Sequence, residues 1–126
     1  MEQDMRRYEP NEEQKPERIP LSDLRQMAER MYGNLVKADV DVAKGIVLLD
    51  MEMHADGEAI LLEQGSAQAD IWGINLYPEE YGTEDFIEFD SIINIRPRQQ
   101  NRSRGVEHPA LQERIRAIVN EAIAND

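Results

Sequence analysis

Two stretches of this 126-residue chain gather side chains that could do chemistry. In "DMEMHADGE", Asp50, Glu52, His54, Asp56 and Glu58 fall on alternate positions. On an extended strand they share one face, where carboxylate oxygens and an imidazole could hold Mg²⁺, Mn²⁺ or Zn²⁺. A carboxylate beside His54 would also raise its basicity for proton transfer. Neither an HExxH pair nor an EF-hand loop accompanies the cluster. A solvated strand end with a turn at Ala55-Asp56-Gly57 accounts for the same residues, because Asp and Glu together number 26.

In "INIRPRQQNRSRG", Arg96, Arg98, Arg102 and Arg104 crowd one short segment. Guanidinium forks bind phosphate and carboxylate in a bidentate manner, best when held on a rigid element. Arg96 follows apolar Ile95 at an expected strand end, and Gln99, Gln100, Asn101 and Ser103 add neutral donors. Arg104, last in the run, contributes least. The competing account pairs these arginines with the domain's own carboxylates, which outnumber them. Trp72 and Asn75, in "DIWGINLYP", could line a pocket, although a lone Trp more commonly packs a core.

Other chemistries have no foothold. Without cysteine there is no thiolate nucleophile, disulfide or Cys-ligated metal. Two histidines and no motif around the serines argue against a Ser–His triad. There is no P-loop or GxGxxG segment. A formal charge of −12 opposes generic DNA or RNA binding, in which phosphate neutralisation supplies most of the affinity. The charged N-terminus lacks a signal-peptide core, and "GIVLL" is too short to cross a bilayer, which points to the cytoplasm.

The elements that must position these groups can be read from periodicity. Residues 1–18 are charged, contain Pro10 and Pro16 and show no apolar period, which predicts a disordered tail ahead of a single domain over 19–126. "LSDLRQMAERMYG" predicts a helix with Ser22 as N-cap, Gly33 as its C-terminal stop and a stripe of Leu24, Met27, Ala28 and Met31. "VKADVDVAKGIVLLD" predicts a hairpin turning at Ala43-Lys44-Gly45, with Val42 opposite Ile46. That register puts Val36, Ala38, Val40, Val42, Ile46 and Leu48 on one face, and a slip of one residue would swap the faces. Residues 46–49 are apolar on both sides, which places this strand inside the sheet.

Residues 58–64 read either as two helical turns ending at Gly65 or as a strand turning through "EQGS". The continuous Ile60-Leu61-Leu62 run favours the strand. A strand over 70–77 follows, then β-branched and aromatic residues over 86–95 stopped by Pro97. Pro109 opens a final helix whose stripe is Leu111, Ile115, Ile118, Val119, Ala122 and Ile123. Helix, strands and helix in this order predict an α+β domain, a mostly antiparallel meander sheet with both helices on one face.

Three segments together carry a resemblance: "HADGEAILLEQGSAQADIWGINLYP", "FDSIINIRPRQQNRS" and the helix that follows. Over about residues 20–123 the chain resembles a family of small prokaryotic proteins catalogued only as a domain of unknown function. The resemblance implies no activity. It does imply that His54, Asp56, Glu58, Glu63, Trp72 and residues 96–103 belong to one shared pattern.

Two functions fit these residues. One is a small non-enzymatic binding module whose Arg96–Arg104 loop takes an anionic small molecule, an RNA or a protein partner, using Arg96, Arg98, Asn101, Arg102 and Ser103 with Trp72 and Asn75. The other is a metal-dependent hydrolase or nuclease, with Asp50, Glu52, His54 and Glu58 on the ion and arginines on the developing charge. A homodimer contact through the helices or a strand edge is a third expectation.

Overall fold

A computed structural model describes residues 5–11 and 16–126. Its strands are β1 (Arg6–Tyr8), β2 (Ile19–Pro20), β3 (Val36–Asp41), β4 (Ile46–Leu49), β5 (Ile71–Leu76), β6 (Ile87–Glu88) and β7 (Ile123–Ala124). Its α-helices are α1 (Leu21–Met31), α2 (His54–Glu63) and α3 (Pro109–Ala122). The fold is α+β: a five-stranded antiparallel sheet in the order β1-β4-β3-β5-β6, with β2 and β7 forming a short parallel pair.

As the periodicity predicts, the N- and C-terminal helices share one face of the sheet. Leu24, Met27 and Ala28 of α1 and Ile115, Val119 and Ala122 of α3 pack with Ala38, Val40, Val47, Leu49, Trp72 and Ile74. The second strand of the hairpin lies inside the sheet, between β1 and β3. Gly33 ends α1 at φ 90°, its amide donating to the Ala28 carbonyl, as a left-handed stop should. Pro109 opens α3. No helix of the described residues is long and apolar enough to cross a membrane.

Several expectations are corrected. Residues 54–63 form a helix rather than a turn and a strand. Its Leu61 joins Ile46, Leu48, Met51 and Ile71 in a second core on the opposite face of the sheet. A short apolar run can belong to either element, and here the long separation from β4 to β5 gives room for a crossover helix. The hairpin register is slipped by one: Asp41, not Val42, faces Ile46. The Asp41 carboxylate accepts from the amides of Ala43 and Lys44, which starts the turn a residue early.

The slip puts Ile46 and Leu48, not Val47 and Leu49, on the same face as Lys37, Asp39 and Asp41, the face that α2 covers, with Leu48 and Gly73 as the neighbours of Asp39. Ser22 is not an N-cap; the helix opens after Pro20, and Ser22 bonds to Asp126 through its amide and hydroxyl. Only Ile87–Glu88 of the 86–95 stretch is a strand, and residues 92–94 form a 3₁₀ turn.

The expected tail over 1–18 also departs from the structure within its described part. Arg6–Tyr8 pairs with β4, and Tyr8 is buried against the α1–α3 core. A single aromatic residue between Arg7 and Glu9 gives no periodicity to read, yet burying its ring offsets the ordering of three residues. The rest of that expectation, at 1–4 and 12–15, lies outside the described residues.

Candidate functional site

Because 54–63 is helical, alternate residues no longer share a face, and the expected metal set separates. Asp50 is buried in a left-handed turn (φ 73°) and pairs with Arg30 at 2.6 Å. Glu52 is exposed, and its backbone carbonyl accepts from the Tyr32 hydroxyl. His54 begins α2, buried, with Nε2 2.8 Å from the Ile74 carbonyl. A carbonyl can only accept, so Nε2 carries the proton. Glu58 faces Arg96 at 3.5 Å. No group of three or more His, Asp or Glu among the described residues stands close enough to hold an ion.

The arginine segment is largely occupied in finishing the fold. β6 pairs only with Asn75 and Leu76, so the outer edge of β5 is bare of strand over 71–74. Asn94 fills it: Gly73 donates its amide to Oδ1 at 2.8 Å, and Nδ2 donates to the Gly73 carbonyl at 2.9 Å. Arg96 continues the edge by donating to the Ile71 carbonyl, and its guanidinium lies 4.7 Å from the Trp72 ring centroid. Asn101, fully buried, ties the segment together. Its Nδ2 donates to the carbonyls of Asn94 and Gly105 at 2.8 Å, and its Oδ1 accepts from the Glu107 amide.

Four of the seven expected ligand residues are engaged within the fold. Trp72 is core, Asn75 is buried and donates to Glu88, and Arg96 and Asn101 are engaged as above. Arg98, Arg102 and Ser103 are exposed. Part of the competing account is thus what the structure shows: Arg96 pairs with Glu58, and Arg104 with Asp90 at 2.6 Å.

Beneath α2 lies a buried acid. Asp39 is fully inaccessible, and neither carboxylate oxygen completes a hydrogen bond. Burial, reinforced by the Glu58 charge, pushes its carboxyl well above the ordinary range; Arg96 pulls the other way. The Glu58 amide also opposes the rise from nearby, without the geometry of a full hydrogen bond. Arg96 mirrors Asp39. Burial lowers its pKa while Glu58 raises it, and Nε and Nη1 have no acceptor. Burial likewise pulls His54 below the imidazole range, so it is neutral at pH 7.

The concavity that best suits a ligand sits at the start of α2, with a volume of about 350 Å³. Lys37 lies in it, its ammonium 5.2 Å from the Tyr32 ring centroid and without a carboxylate partner among the described residues. Arg104 also lines it, so the arginine expected to matter least is the one of the four that reaches this cleft. Met53 and Ile92 also line it and are 61% and 69% exposed. No motif marks these residues. They meet because the end of α1, the β4–α2 turn and the 3₁₀ turn at 92–94 converge. A second cleft of about 310 Å³ lies between Tyr8, Lys44 and Arg114, but Glu121 sits in it, and both cations donate to backbone carbonyls.

A family model described as "Protein of unknown function (DUF5674)" matches residues 15–122. No curated protein and no solved structure matches the chain.

Proposed function

The chain belongs to the DUF5674 family, whose function is unknown, and we propose for it a non-enzymatic binding role in which the cleft at the start of α2 takes an anionic group. The observation that carries this reading is Lys37. An ammonium in no ion pair among the described residues, in a chain of net charge −12, is held over an aromatic ring in the lining of a cleft. Arg104 faces the same space, and cation pairs of this kind recognise carboxylates and phosphates. The anion-binding role thus moves from Arg96 to Lys37 and Arg104.

The metal-dependent hydrolase reading has no comparable support. Arg30 engages Asp50, Arg96 engages Glu58, and His54 donates its Nε2–H to the Ile74 carbonyl. Thermal unfolding with inorganic phosphate, acetate and benzoate tests the proposal. At least one anion should raise Tm in proportion to ln(1 + [L]/Kd), and Lys37→Gln should remove the rise. If Mg²⁺, Mn²⁺ or Zn²⁺ raises Tm instead, and His54→Ala removes that rise, the hydrolase reading takes its place.

A further inference from the structure

Resting on that anion-binding reading, we infer that the ligand is a monocarboxylate with an aromatic or branched aliphatic body, not an inorganic or polyvalent anion. Charge counting on the walls comes first. Lys37 and Arg104 are the cations of the lining and Glu52 is its one carboxylate. Arg104 is already paired with Asp90 at 2.6 Å, which leaves Lys37 as the cation of the lining that is in no ion pair among the described residues. His54 adds nothing at neutral pH, because burial keeps it uncharged. One carboxylate satisfies the cleft, whereas a polyvalent phosphate would leave charge unmatched beside Glu52.

The rest of the lining is apolar. Apart from Ser91 it consists of Tyr32, Met53, Ala55, Ile92 and Ile93, and Met53 and Ile92 rank among the most exposed large apolar side chains. Exposed apolar surface beside fixed polar groups is what a ligand body covers to gain affinity. The volume of about 350 Å³ lies at the small end of ligand pockets, roughly 300–1,000 Å³, which suits one ring or a short branched chain. Lys37 beside Tyr32 also sets the two ends of the ligand apart: carboxylate at Lys37, body against Met53 and Ile92.

Calorimetric titration of the full chain with benzoate, benzamide and inorganic phosphate tests this inference. Benzoate should bind, and benzamide and phosphate should each bind at least about tenfold more weakly. Lys37→Gln should weaken benzoate about 10- to 100-fold, as loss of a charged hydrogen bond does. Ile92→Ser, at an exposed position that leaves the cores intact, should weaken benzoate and leave phosphate unchanged. If phosphate binds as tightly as benzoate and both need Lys37, the apolar body is wrong while the anion reading stands. If benzamide matches benzoate, or Lys37→Gln changes nothing, the anion reading and this inference fall together.

Discussion

The side-chain amide of Asn94 satisfies both backbone groups of Gly73, accepting at 2.8 Å and donating at 2.9 Å, so that one side chain stands in for a strand residue at the bare edge of β5. Its Nδ2 also donates to the Arg104 carbonyl at 2.9 Å, which fixes the segment carrying Arg104. Asn94→Ala leaves these backbone groups buried without partners and should cost about 3 kcal/mol. Asn94→Asp should cost more, since a carboxylate would face two carbonyls with no proton to give. Urea unfolding of both variants measures this; equal and small losses would show that the edge is solvated.

Arg96 should prove structural. Its side chain is 10% exposed and that of Glu58 16%, so removing the cation strands a largely buried carboxylate. The stack on Trp72 and the bond to the Ile71 carbonyl are lost with it. Arg96→Ala should cost about 2–4 kcal/mol, less than for a fully satisfied pair because Nε and Nη1 have no acceptor to lose. Arg96→Lys keeps the charge but neither the fork nor the planar stack, and should recover less than half. Benzoate affinity at a concentration where the variants remain folded should not change.

Gly57 is where α2 meets the buried acid. A Cβ there would lie 2.4 Å from Asp39 Oδ2 and 2.7 Å from the end of Met51. Its φ is ordinary, so in open solvent Gly→Ala within a helix would stabilise by about 0.5–1 kcal/mol. Met51 can swing away, but the short Asp39 side chain has little freedom, so Gly57→Ala should destabilise by about 1–3 kcal/mol. In an Asp39→Ala background the same change should become neutral or stabilising, a non-additivity that a double-mutant cycle reads directly.

These positions show where sequence reasoning reached and where it stopped. The α1 and α3 stripes repeat over three turns or more, long enough for the helical period to stand out, and Gly33 and Pro109 mark helix ends by backbone physics alone. α2 failed the same test because it is buried against the sheet and short, so "AILL" shows no period that separates helix from strand. One error then propagated. Read as a strand, 50–58 aligned five polar residues on one face, and the apparent metal site followed. The one-residue slip at Asp41 likewise hid Lys37 and Asp39 on what read as an open polar face. Asn94 and Asn101 look like ordinary loop residues, since nothing local reveals that their amides replace strand partners. Of the candidate site, the arginine segment was legible as a cluster. That Arg104 alone of the four reaches the cleft depends on packing between distant segments.

Asp39 and His54 should give the stability profile two opposed limbs. Burial raises the Asp39 pKa above the ordinary value near about 3.9. Above that value the unfolded chain has released the proton while the folded chain still holds it. The folded state then binds more protons, so stability falls as pH rises towards the raised folded value, by at most about 1.4 kcal/mol per pH unit for one proton. Burial lowers His54 below about 6.5. There the unfolded chain binds the extra proton first, so stability falls as pH drops from that value towards the lowered folded pKa. Asp39→Asn should therefore gain on wild type as pH rises above about 4, levelling off once the folded acid ionises. His54→Gln, which can keep a donor for the Ile74 carbonyl, should gain on wild type as pH falls below about 6.5. Chemical denaturation from pH 4 to 8 provides both difference curves. A flat Asp39→Asn difference would mean that the acid ionises in place, its charge met by Arg96 across the space between them, and an upright His54→Gln curve beside it would confine the buried perturbation to the histidine.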